Sequence, residues 1–249
     1  MTYCVGVLLE DGIVLGSDSR THAGVDDFAS FCKMTVFEEA GERVLVLLSS
    51  GSLAGTQAVI SLLRQEADAA AEAAADAEPA ITIRSARTMF DVARVVSDAM
   101  RAIDRRDSEH LEKHDLSFNA SFILGGQIKG EEPRLFHVYS AGNFIESSLD
   151  TPYFQIGESK YGKPIIDRVI SRSSSLAQAA KCALVSMDST IRSNLSVGPP
   201  LDLAIIRRDE FTLHTHISLD MDNEYFKMIR TRWGYALQEV FSELPNPEW

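Results

Sequence analysis

MTYCVGVLLEDGIVLGSDSR, residues 1–20, decides how the chain is read. Two apolar runs, Tyr3–Leu9 and Gly12–Ser17, flank Glu10-Asp11-Gly12, and Asp-Gly between such runs signals a tight β-hairpin. Thr2 therefore enters the first strand directly, and the second strand delivers Ser17-Asp18-Ser19-Arg20 back to the same end. Thr is small enough for the preceding Met to be removed. The chain would then start with a hydroxyl and an α-amine on one residue. That amine titrates near pH ~7.7–8.0, so at neutral pH it can accept the hydroxyl proton. A terminal Thr is thus a self-activating nucleophile.

Working outward, Lys33–Phe37 and Arg43–Leu48 form a second hairpin around Gly41, and Lys33 begins the third strand. Ser49-Ser50-Gly51-Ser52 breaks the pattern, and from Leu53 the apolar spacing becomes helical. The Ala-rich, acidic stretch Ala67–Ala80 reads as a helix tail and solvated linker. Met89, Ala93, Val96, Met100 and Ile103 mark a second helix over 84–106, with the charges of 101–107 at its solvated end. Strands are expected at Phe118–Ile128, Arg134–Tyr139, Phe144–Ser148 and Tyr153–Ile156. Helices follow over 160–169 and 176–191, the latter with Ser173–Ser175 available as caps. A hairpin, Leu201–Arg207 and Phe211–Ile217, turns about Asp209-Glu210, and a helix over 223–241 closes the chain. Hairpins dominate over βαβ crossovers, so helices should cover two packed sheets in one domain spanning 1–249.

Composition sets limits. Of 249 residues, 45% are hydrophobic, enough to fill a core. No apolar run reaches the length of about 18 residues that a membrane span needs. The N-terminus lacks a basic n-region and a small-residue cleavage site, so a secretory signal is not expected. Three scattered cysteines, Cys4, Cys32 and Cys182, give no disulfide framework and fit a reducing cytoplasm. A net charge of −12 argues against nucleic acid and anionic membranes as partners. His214 and His216 share a strand face, but with no third ligand in sight they read as packing rather than a metal pair. No cofactor or metal is expected.

Thr2 at a strand start, Asp18-Ser19-Arg20 after the second strand, Lys33 on the third and Gly51 at the turn into a long helix together resemble proteasome β-type subunits. Within them the chain is most similar to the bacterial Anbu family. The Met-Thr-Tyr-Cys-Val-Gly start, Ser17–Thr21, Ile156–Pro164 and Arg192–Pro200 carry that likeness. The resemblance covers nearly the whole chain and implies the four-layer αββα sandwich of N-terminal-nucleophile hydrolases. It also implies a threonine-type peptidase or amidohydrolase that assembles with itself into open or helical rings. An ATPase partner is expected for related proteases, though no docking motif for one stands out.

The resemblance implies roles as well. Thr2 Oγ attacks an amide carbonyl, and its amine serves as general base and then general acid. Lys33 supplies positive charge beside the nucleophile, and Asp18 pairs with it. The Gly51 N–H stabilises the oxyanion. Asp188 matches the acidic residue that orders the terminal amine. The family's Gly-Ser-Gly is replaced here by Gly157-Glu158-Ser159, so the serine that bonds the terminal Thr is either replaced by Glu158 or shifted to Ser159. Its partner serine lies among Ser189, Ser193 and Ser196. The altered loop leaves two alternatives beside peptidase action: an amidohydrolase of a small or isopeptide-linked substrate, and a silent scaffold. Cys32 is expected to face away from Lys33 by strand alternation. Specificity is expected from residues near 20–35 and 45–55, with neighbouring subunits contributing.

Overall fold

A computed structural model describes residues 1–22, 28–72, 80–115 and 117–249. The 1–20 hairpin forms as β1 (Tyr3–Leu9) and β2 (Gly12–Asp18), followed by a short ribbon, β3 (Arg20–His22) and β4 (Phe28–Ser30). Next come β5 (Met34–Glu39), β6 (Arg43–Gly51), α1 (Leu53–Glu72) and α2 (Met89–Glu112). Then β7 (Ala120–Ile128), β8 (Arg134–Val138), β9 (Phe144–Glu146) and β10 (Tyr153–Gly157) lead to α3 (Lys163–Val169) and α4 (Leu176–Ser193). The last elements are β11 (Leu201–Arg207), β12 (Leu213–Leu219) and α5 (Glu224–Glu243).

One antiparallel sheet runs β10-β1-β2-β11-β12 and the other β5-β6-β7-β8-β9. Strand alternation sorts their side chains into three cores. Tyr3, Val5, Val7 and Leu9 pack with Leu184 and Met187 of α4. On the opposite face of β1, Cys4 and Leu8 join Val44, Val46 and Leu48 of β6 between the sheets. Leu45 and Leu47 of β6 point outward, against Val59 and Leu63 of α1 and Met89 and Val96 of α2. The layers are therefore αββα. Each fully buried Leu or Val contributes about 1.5–3 kcal/mol of transfer free energy, and a one-residue slip in β1 or β6 would exchange its two faces. The sheets approach closely at Gly6, where a Cβ would lie 2.9 Å from the side chains of Ile123 and Leu135.

Several boundaries differ from the sequence expectation. α2 starts at Met89, because Thr88 caps it by accepting from the Asp91 N–H at 3.0 Å. It runs on through the expected charged end to Glu112, supported by pairs such as Arg101–Asp98 and Lys113–Glu109. α1 extends to Glu72; the rest of the proposed linker, 73–79, lies outside the described residues. α3 begins at Lys163, where Pro164 suits a first turn. Phe211, at φ +50°, belongs to the turn and not to β12. Of the three serines before α4, Ser175 is the cap, in a reciprocal box with Gln178.

Candidate active site

The hairpin places Tyr3 beside Asp18, at the open end of the β1–β2 ladder. Asp18 follows the paired Cys4↔Ser17 step, so its carboxylate is free to take the Tyr3 backbone N–H, at 2.9 Å. The same oxygen accepts from Lys33 Nζ at 2.6 Å, and the other accepts the Gly198 N–H at 3.1 Å. Lys33 also donates to the carbonyl of Arg20 at 2.7 Å. Both side chains are buried, at 8% exposure for Lys33 and 0% for Asp18. Burial raises the Asp18 carboxyl above its ordinary value, while Lys33 and the two backbone donors pull the other way. Asp18 thus links Lys33 to the backbone of the residue that follows Thr2.

Lys33 precedes β5 instead of opening it, and its carbonyl accepts from the Ser49 N–H at 2.9 Å. That bond ties it to the end of β6, where Gly51 turns the chain into α1. Gly51 has φ +110°, and a Cβ there would collide with the Asn119 carbonyl oxygen, so only Gly makes this turn. Because residues 31–33 lie outside the strand, alternation does not apply to them. Cys32 and Lys33 both border the cleft, but their side chains take different partners: the Cys32 thiol donates to the Met34 carbonyl and lies 3.6 Å from Asp202 Oδ2, while Lys33 turns to Asp18.

Thr2 is buried, and its carbonyl accepts the Glu158 N–H at 2.7 Å. Gly157, at φ +85°, allows this approach, since its Cβ would overlap the Thr2 carbonyl. Tyr3 anchors the strand start from below: its hydroxyl meets Ser186 Oγ of α4 at 2.6 Å, and burial pushes the phenol pKa up. Thr2, Lys33, Gly51 and Gly157 all open onto a cleft of about 940 Å³.

The Gly157-Glu158-Ser159 turn, α4 and the loop after it make other contacts. The Glu158 carboxylate accepts from the Lys160 N–H at 3.2 Å and from Asn194 Nδ2 at 3.0 Å. Among the described residues, no side chain of Glu158, Ser159, Ser189, Ser193 or Ser196 hydrogen-bonds Thr2. The buried Asp188 carboxylate takes Arg230 Nε of α5 at 2.7 Å and likewise makes no hydrogen bond to Thr2. Thr2, Asp18, Lys33 and Gly51 are thus brought together, Ser159 sits in the adjoining turn, and Asp188 is committed to α5.

The sequence reading missed the role of the 194–198 loop. Asn194 holds Glu158, Arg20 Nη1 donates to the Leu195 carbonyl at 2.9 Å, and Gly198 donates to Asp18. A Cβ on Gly198 would run into the Arg20 guanidinium. The Gly198-Pro199-Pro200 run was the available signal, but it shows no partner without the fold.

The proteasome-subunit family model matches residues 2–206. No curated protein matches the chain. Among solved structures, a Gly-1 mutant of Anbu from Hyphomicrobium sp. strain MC1 is 46% identical, with 100% of both chains covered and a TM-score of 0.91. Anbu from Yersinia bercovieri is 47% identical over 99% of each chain, with a TM-score of 0.89. A helical assembly of the Anbu complex from Pseudomonas aeruginosa is 43% identical over 98% of each, also at 0.89. The chain therefore belongs to the proteasome family, as a member of its bacterial Anbu group.

Proposed function

We propose that this protein is a threonine-type N-terminal-nucleophile peptidase or amidohydrolase, acting as one unit over 1–249 in an assembly of its own copies. Family membership supports a hydrolase of this type. The observation that carries the threonine assignment is the buried Asp18–Lys33 pair, held one residue from Thr2 by the Tyr3 N–H.

With Met1 gone, the Thr2 amine takes the hydroxyl proton and Oγ attacks the substrate carbonyl. Lys33 stabilises the developing negative charge, and the Gly51 N–H faces the oxyanion; one such donor is typically worth about 3–4 kcal/mol. As the tetrahedral intermediate collapses, the amine returns its proton to the leaving nitrogen. Water then attacks the ester, the amine again acting as base, and Thr2 is regenerated. Asp188 and Ser159 are proposed to order the terminal amine once it is free.

Self-assembly is supported by the helical assembly described for the Pseudomonas aeruginosa relative and by the exposed apolar residues of α5, among them Tyr235, Val240 and Phe241. The unpaired cysteines are in keeping with a cytoplasmic location. Among the described residues, no helix is long and apolar enough to cross a membrane.

Intact mass with and without an electrophile that captures terminal threonines tests the assignment. Loss of Met1 and one adduct on Thr2 are expected. A processed but unlabelled Thr2 would favour a scaffold.

A further inference from the structure

Beyond the Asp18–Lys33 cluster the cleft continues along α1. Leu53, Gln57, Ile60 and Arg64 line it at steps of three and four residues, one face of the helix. From Leu53, beside the Gly51 turn, to Arg64 this face spans about 16 Å at roughly 1.5 Å per residue. An extended peptide covers that distance with roughly five residues at about 3.3 Å each.

Charge is distributed unevenly along it. The chain carries 36 Asp and Glu, yet among the described residues none that lines the cleft is acidic. Lys33 is committed to Asp18. Arg64 is exposed and, among the described residues, makes no hydrogen bond or ion pair. It stands at the far end of the α1 face, where a ligand can reach it from the cleft.

We propose that the cleft binds an extended acidic peptide, with the scissile amide at Thr2 and a carboxylate several residues away on Arg64. The proposal rests on the threonine reading above and adds the substrate class. The Arg64 guanidinium offers paired donors to the carboxylate, while Gln57 supplies a polar contact midway. The protein is net acidic, at −12, which disfavours such a peptide over much of its remaining surface.

Protection of Thr2 tests this. The protein with Met1 removed is labelled by a small, peptide-free epoxyketone in the presence of ten-residue peptides of alternating Ala and Glu, Ala and Gln, or Ala and Lys. The Glu peptide is expected to slow labelling at about 3- to 5-fold lower concentration than the Gln peptide, the range of an exposed ion pair, and the Lys peptide to be weakest. The advantage should shrink with salt. Arg64→Glu should reverse the order of the Glu and Lys peptides, while Arg105→Glu, the same charge change on α2, should not. Equal protection by all three peptides, an order unchanged in Arg64→Glu, or a reversal in Arg105→Glu would overturn the proposal. Fluorescence anisotropy of the tagged peptides reads binding independently of reaction. Acid-selective, Arg64-dependent binding without labelling would sustain the ligand class and sink the threonine chemistry; labelling without selectivity would do the opposite.

Discussion

Asp18 Oδ1 lies 2.6 Å from Lys33 Nζ and, through the same oxygen, 2.9 Å from the Tyr3 backbone nitrogen. One buried carboxylate oxygen therefore fixes both Lys33 and the residue that follows Thr2. A buried pair of this kind contributes position more than net stability, but losing one member leaves the other charge uncompensated. Lys33→Ala should destabilise the protein by about 3–5 kcal/mol, on the order of 10 °C in Tm for a chain this size. Its Thr2 labelling should fall with it. Asp18→Asn combined with Lys33→Met removes both charges and keeps a side-chain oxygen for one of the backbone N–H groups that Asp18 holds, so it should recover part of the Tm and none of the labelling. Thermal unfolding and adduct mass read the two effects separately.

Gly157 and Gly51 both have positive φ and backbone carbonyls where a Cβ would go. Ala at either position should cost about 1–3 kcal/mol in backbone strain, before any shift of its neighbours. Gly157→Ala should in addition displace the Thr2 carbonyl and reduce labelling more than stability loss alone explains. Comparing labelling rates well below each variant's Tm checks this.

The Asp188–Arg230 pair joins α4 to α5. Arg230→Met should strand a buried carboxylate and lower stability by about 3–5 kcal/mol. If Asp188 also orders the free Thr2 amine, Asp188→Asn should shift the pH dependence of labelling while Arg230→Met leaves it in place. Matching pH profiles in both variants would confine the pair to holding α5.

His137 is half-buried on β8, with Nε2 2.8 Å from Ser121 Oγ. Burial lowers its pKa below the ordinary value. A depressed folded-state pKa means the unfolded chain binds the proton more readily. The stability His137 contributes is therefore complete above the unfolded value of about 6.5 and lost as pH falls through the folded one. Tm of His137→Asn should depend less on pH below about 6.5 than Tm of the parent, as scanning calorimetry would show.

α5 exposes Tyr235 at 70%, Val240 at 57% and Phe241 at 76%. Large apolar side chains exposed around one helix are the kind of surface that contact with another copy would cover. Val240→Asp with Phe241→Asp should shift the protein to smaller species in light scattering while leaving Tm of the smallest species near that of the parent. Unchanged particle size would place the assembly contact elsewhere.

Thr2, Asp18, Lys33 and Gly51 were singled out by their likeness to proteasome β-type subunits, with local pattern placing each near a strand end or turn; Lys33 lies just before its strand. The Asp-Gly hairpin sets Thr2 and Asp18 at one end of a two-strand ladder, and alternation along β1 and β6 dictates which side chains face a helix and which the other sheet. The same pattern, continued over the chain, was enough for the layers. Residues 31–33 lie outside any strand, so the different partners that Cys32 and Lys33 take could not follow from period two.

What only the tertiary structure decided are contacts between residues far apart in the chain. Gly198 reaching Asp18, Asn194 reaching Glu158 and Arg230 reaching Asp188 depend on how α4, its following loop and α5 dock on the first sheet. Docking of that kind is set by packing of whole faces, which many sequences satisfy alike, so it leaves no local mark. The cleft wall along α1 is of the same sort. The sequence determines that Gln57, Ile60 and Arg64 share a helix face; only the packing of α1 across the second sheet turns that face toward Thr2.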